Sequence, residues 1–211
     1  MALLNRDRKG AAIASACIAI MAAAAHAQTL QGDALVKALR QGGYIIVMRH
    51  ASSPREAPDK PHANPDNVNV ERQLDQEGRT TATALGQAWR TLKIPVGEVI
   101  SSPTYRALET VKYAQLGKAQ PAPELGDNGQ SMSGGTEAQA AWLQKRVTQF
   151  PKGTNTVLIT HLPNLTRAFP QWANGMADGE AMIIGPSGGP DGKGGATMVA
   201  RVKIEEWPAM H

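Results

Sequence analysis

Cysteine is almost missing: Cys17 is the only one in 211 residues. Beyond that position there is no thiol nucleophile, no disulfide partner and no cysteine-based zinc site. Charge of one sign is also scarce. The formal net charge is +4, and residues 1–27 carry Arg6, Arg8 and Lys9 against Asp7, so the remainder carries +2. So weak an excess, with aromatics at 4% and no Lys/Arg stripe interleaved with them, argues against a nucleic-acid binder. The longest uncharged apolar run, 11–25, is about 15 residues, short of the roughly 20 that a spanning helix needs. Stable membrane insertion is therefore not expected. No internal repeat is present.

That run has a different meaning. Three basic residues precede it, and Ala25-His26-Ala27 follows with small residues where a signal peptidase cuts. The pattern reads as a secretory signal peptide spanning 1–27, with 28–211 as a single domain. A lipoprotein cut before Cys17 is the weaker option, because Ala14 stands where leucine is usual. Export without disulfides fits a bacterial periplasm.

With hydrophobic residues at 42% and charged residues at 19%, the rest reads as an ordinary globular domain. A helix is expected over 29–40, with Leu30, Ala34, Leu35, Ala38 and Leu39 on one face, stopped by Gly42-Gly43. An apolar strand follows at 44–48, then a long polar loop at 51–70. Asp75 caps a helix with its body at 79–92, where Ala82, Leu85, Ala88, Trp89 and Leu92 share a face. A second strand is expected at 96–101, and a helix to 116 started by Pro103 at its first position. Residues 117–135 read as irregular. Thr136 caps a helix to 150, and 156–160 forms a third strand. Pro163 opens a helix to 169, and strands at 181–184 and 196–204 flank a Gly/Pro-rich hairpin loop. Trp89 and Trp142 read as packing residues. The central strands are apolar throughout and alternate with helices. That predicts a three-layer α/β/α sandwich with a mostly parallel central sheet.

Polar residues cluster where the apolar strands stop. The first strand runs into Arg49-His50, the second into Ser101-Ser102 with Arg106 close behind, and the third into His161. In open α/β sheets, ligands bind at the carboxyl ends of the strands. Two arginines and two histidines are therefore expected on one rim. Arginines offer paired donors to phosphate oxygens, and helix starts near Pro103 and Pro163 add N–H groups. A neutral imidazole can attack phosphorus without a base. His50 and His161 have no third ligand spaced to complete a zinc site.

The segments "VMRHASS", "RQLDQEGRTTATALGQAW", "SSPTYRALET" and "THLPNL" resemble, in order, the motifs of the histidine phosphatase (phosphoglycerate mutase-like) superfamily. The resemblance implies the corresponding α/β/α fold. It implies that His50 is phosphorylated, that Arg49, Arg106 and His161 bind the phosphoryl group, and that a carboxylic acid protonates the leaving oxygen. Asp127 in "PELGDNG" is the first candidate for that acid, Glu124 the second and Glu137 the third. Ala51 replaces the family's usual glycine. Ser52, with Ser53 and Arg55, is a candidate to face the substrate. His62 and His211 read as exposed. Residues 178–180 read as a turn, with a place beside the rim as the alternative.

The function expected is a metal-independent, cofactor-free phosphomonoester hydrolase. Its partners would be a phosphorylated small molecule or phosphoprotein, with inorganic phosphate as product. The rivals are a phosphoglycerate-type mutase, which export disfavours, and a non-catalytic phosphate- or phosphosugar-binding protein.

Overall fold

The apolar segments pair into one six-stranded sheet in a computed structural model that describes residues 29–54, 72–127, 135–187 and 195–211. Residues 1–28, 55–71, 128–134 and 188–194 lie outside the described residues, and with them fall the expected signal peptide, Arg55, His62 and most of the expected 51–70 loop. The strands are β1 (Ile45–Arg49), β2 (Val96–Ser101), β3 (Gln120–Pro121), β4 (Asn155–Thr160), β5 (Ala181–Pro186) and β6 (Ala196–Val202). Their order across the sheet is β3-β2-β4-β1-β5-β6. The β3, β2, β4 and β1 strands run parallel; β5 and β6 are antiparallel, joined as the expected hairpin.

Strand side chains alternate between two cores, as the two-residue period of a strand dictates. Ile46, Met48, Val157, Ile159, Ala181 and Ile183 face one core. The helices α1 (Gly32–Gln41), α2 (Gln76–Thr91) and α3 (Tyr105–Ala114) close it. Ile45, Val47, Leu158, Met182 and Ile184 face the other, covered by α4 (Glu137–Arg146), α5 (Leu162–Ala168) and α6 (Pro170–Ala173). This is the three-layer, mostly parallel sandwich that the alternation of elements predicted.

The α2 face is buried as expected, at Ala82, Leu85, Ala88, Trp89 and Leu92. Asp75 is its N-cap and accepts from Gly78 N–H. On α1 the buried face is Leu35, Val36 and Leu39, while Ala34 is exposed. The expected face included Ala34 and left out Val36, and the helix starts at Gly32, three residues later than expected, so Leu30 lies before it. Pro103 does not open α3. Thr104 is the N-cap, and Pro103 sits in the turn before it. The stretch expected to be irregular contains β3 and a 3₁₀ turn, Pro123–Leu125. Two residues of edge pairing carry no periodicity to detect.

The C-terminal 3₁₀ segment Ile204–Ala209 was also unforeseen. It drives Trp207, fully buried, edge-on against Trp89 with ring centroids 5.2 Å apart. Trp142 lies partly buried against the second core. No helix among the described residues is long and apolar enough to cross a membrane.

Candidate active site

Three neighbouring parallel strands, β2, β4 and β1, end on the same edge of the sheet. His50 follows β1, Ser102 follows β2 and His161 follows β4. His50 is locked at the centre: its N–H donates to Thr160 O (3.0 Å), and its carbonyl accepts from Gly179 N–H (2.8 Å). His161 is the N-cap of α5. Arg106 lies in the first turn of α3, whose Thr110 hydroxyl accepts from Ala51 N–H (3.0 Å) and so ties that helix to the loop after His50.

Arg106 is the hub. Its Nε–H donates to His50 Nε2 at 3.2 Å, and one terminal nitrogen donates to His161 Nδ1 at 3.0 Å. The same nitrogen forms an ion pair with the Asp127 carboxylate. The imidazole rings stand 5.2 Å apart, tilted by 58°. His50, Arg106, His161 and Asp127 are all at least 95% buried.

These contacts fix both tautomers. The His50 Nδ1 faces the Ala51 carbonyl at 2.8 Å, and a carbonyl can only accept, so Nδ1 carries the proton. The Nε2 lone pair is left facing Arg106. The His161 ring is the opposite: Nδ1 accepts from Arg106, and Nε2–H donates to Ser102 Oγ at 2.8 Å. The Ser102 hydroxyl in turn lies 3.0 Å from Thr104 Oγ1.

Burial, then the neighbouring His161 and the Arg106 and Arg49 guanidiniums, hold His50 well below its ordinary pKa. Burial, then Arg106, Arg72 and Arg49, do the same to His161. Both rings are therefore neutral at pH 7. A stability consequence follows from linkage. The unfolded chain binds protons at these histidines near about pH 6.5, whereas the folded chain binds them only at lower pH. Stability is thus fully present above that pH and declines as pH falls toward the folded values. Thermal unfolding should show a falling melting temperature from about pH 7.5 to about pH 5.5, with proton uptake on unfolding. An unchanged midpoint and no proton uptake over that window would refute the neutral assignment.

Arg49 is fixed from another side. It pairs with Asp178 (2.6 Å) and donates to Met176 O (3.1 Å). The 178–180 turn is thus a turn and also borders the rim. Glu180 holds it in place, accepting from Ala177 N–H (2.8 Å) and from Arg201. The Arg201 partner, together with the backbone N–H, offsets the opposing effect of burial, and the net result lowers the Glu180 pKa. Arg49, Ser52, Met176 and Asp178 line a cleft of about 670 Å³ that also touches Glu77, Thr81 and Glu205.

Ser52 Oγ donates to Asp75 Oδ2 at 2.7 Å, which binds the loop to the α2 cap. The approach is close enough that a Cβ on Gly78 would lie 2.1 Å from Ser52 O. The Ala51 methyl is buried in the first core. Glu124 is half-buried on the 3₁₀ turn, and Glu137 is exposed, paired with Arg167. Among the three candidate acids, Asp127 is the one in contact with Arg106. Ser53 donates to Gln73 O rather than to the rim, and His211 is exposed.

Sequence reasoning assigned no role to Arg72, Thr104 or Glu109, named Ser102 only as a strand end, and gave Asp178 a place beside the rim only as the alternative to a plain turn. Arg72 lies near enough that, after burial, Arg106 lowers its pKa, with Asp178 and Asp127 opposing. Glu109 accepts from Leu74 N–H at 2.8 Å and anchors that segment. The available signal for Arg72 was its place at the head of the Arg-x-Leu-x-x-x-Gly-Arg segment.

No family model matches the chain, and no curated protein matches it in sequence. Solved structures do. The protein histidine phosphatase SixA, complexed with tungstate, aligns over 77% of this chain and 98% of its own, with a TM-score of 0.53 and 17% identity. A phosphoserine phosphatase mutant from Entamoeba histolytica, in complex with phosphoserine, aligns over 77% and 98%, with a TM-score of 0.52 and 11% identity. The chain therefore has the phosphoglycerate mutase-like α/β/α fold seen in these histidine phosphatases.

Proposed function

We propose that the protein is a phosphomonoester hydrolase working through a phosphohistidine on His50. The observation that carries this reading is the single guanidinium of Arg106 in contact with His50 Nε2, His161 Nδ1 and Asp127. A phosphoryl group bound there would take over the Arg106 donors and release the His50 lone pair. Arg49 and Arg106 would hold its oxygens, with His161, while Ser52 would have to turn its O–H away from Asp75 to join them.

In the first step, His50 Nε2 attacks phosphorus and the P–O bond to the leaving group breaks. Asp127, freed from Arg106 and carrying the proton taken from the monoanionic phosphoester, gives that proton to the departing oxygen. The phosphorylated ring becomes cationic, and the Ala51 carbonyl on Nδ1–H stabilises that charge. In the second step, water attacks phosphorus, Asp127 takes its proton, and the P–N bond breaks. Inorganic phosphate leaves as the monoanion with that proton, so the Asp127 carboxylate and the His50 lone pair are both restored. Every step uses side chains, so activity should persist in chelator.

Export to a bacterial periplasm after cleavage behind Ala27 belongs to the same reading. N-terminal sequencing of the protein released by osmotic shock tests it. The enzymatic test is hydrolysis of p-nitrophenyl phosphate with chelator present, with acid-labile phosphate trapped on His50. Tight phosphate binding with no turnover of any phosphoester would instead support the binding-protein reading. Transfer of phosphate within phosphoglycerate would support a mutase.

Oxyanions provide an independent measurement. Tungstate or vanadate at a hundred times its dissociation constant should stabilise the fold by about 2.7 kcal/mol. It should also inhibit competitively. A melting temperature unmoved by either anion would count against an anion site at Arg106.

A further inference from the structure

We propose that Asn164 is a positioning residue that sets the Asp127 carboxyl group in register with His161. The proposal rests on the hydrolase reading above. Asn164 lies on α5, three residues after His161, and is 1% exposed. Its Nδ2 donates to Gly126 O at 2.7 Å and to Thr160 Oγ1 at 3.1 Å. The Thr160 hydroxyl donates to Leu125 O at 2.8 Å. Gln139 of α4 donates its Nε2 to the same Gly126 O at 2.9 Å. The carbonyls of the two residues before Asp127 are therefore held by buried side chains from β4, α5 and α4.

The Gly126 carbonyl belongs to the peptide plane that carries the Asp127 nitrogen. A planar peptide held at its oxygen leaves little freedom in where the next Cα points its side chain. Two donors also occupy both lone pairs of that oxygen, so the plane cannot rock toward a competing partner. Asn164 meets a second close approach at Gly135. A Cβ there would lie 2.6 Å from Asn164 Oδ1 and 2.9 Å from its Cα. The chain on both sides of residues 128–134 thus docks on one amide, and the helix bearing that amide begins at His161. Asn164 joins the acid to the histidine mechanically without touching the reacting atoms.

A clamp on the acid and a clamp on the fold give different kinetics. The parameter kcat/KM covers steps only through leaving-group departure. A p-nitrophenolate leaves without a proton, whereas an alkoxide needs one. In Asn164→Ala, kcat/KM for glycerol phosphate should fall about thirtyfold, and for p-nitrophenyl phosphate by about threefold or less. Gln139→Glu keeps the acceptor that Gln139 Oε1 offers Thr136 N–H in the α4 cap, and loses the donor to Gly126 O. It should show the same skew in milder form, and it carries the test if Asn164→Ala does not fold. On an Asp127→Asn background, Asn164→Ala should add no further skew. An active wild type with an unchanged substrate ratio in the variants overturns the role of Asn164 alone. A wild type inert toward both substrates overturns the hydrolase reading, and this proposal with it.

Discussion

Replacing His50 with alanine is expected to lower kcat/KM for any phosphomonoester by at least about ten-thousandfold, the scale seen when a covalent nucleophile is removed. The ring is 97% buried, its Nδ1 proton is committed to the Ala51 carbonyl, and its Nε2 lone pair faces Arg106. The neighbouring His161 cannot substitute, because its lone pair is on Nδ1 and its Nε2–H is held by Ser102. The variant should keep its fold. Alanine leaves a small cavity but removes no charge at neutral pH, since the native ring is already neutral. Oxyanion binding should therefore survive, weakened, in a protein with no turnover and no acid-labile phosphate. Hydrolysis at the wild-type rate in purified His50→Ala would rule out phosphohistidine chemistry.

Arg106→Met should cost about a thousandfold in kcat/KM, because one guanidinium supplies much of the positive field on the phosphoryl group. It should also destabilise the fold by about 3 kcal/mol, since Asp127 would be left buried without this partner. The two losses separate in a double variant. Adding Asp127→Asn removes the buried carboxylate that lost its arginine, so stability should largely return while activity stays absent. The histidines report on the same change. Arg106 helps hold both imidazoles below their ordinary pKa, so its removal should let them protonate at higher pH. In NMR titrations, both ring signals should shift toward the usual imidazole midpoint. Wild-type stability in Arg106→Met, or equal stability of the single and double variants, would mean that the buried pair contributes nothing.

The residues whose place on the rim was legible in the sequence are those that lie where an element ends. Arg49-His50 interrupts a fully apolar run, and a strand that stops being apolar has reached a sheet edge. His161 obeys the same rule after β4. Arg106 was legible through the serines and proline before it. The misplaced features have weak local signals. Two-residue β3 has no period to measure, and Trp207 lies in a 3₁₀ turn whose burial depends on Trp89, far away in the chain. Asp178 looks like any turn residue until the turn is placed against Arg49, which precedes it by more than a hundred positions.

Local patterning alone determined the two apolar cores, the parallel arrangement of the central strands and the rim on which Arg49, His50, Arg106 and His161 stand. A residue's periodicity reports its own element's buried face, and strand ends follow from it. The tertiary structure alone decided which of Asp127, Glu124 and Glu137 faces the cation, which ring nitrogen carries the proton and which amide holds the segment before Asp127. Those outcomes depend on partners brought within hydrogen-bond distance by chain closure, and a polar side chain carries no trace in sequence of the partner it will meet.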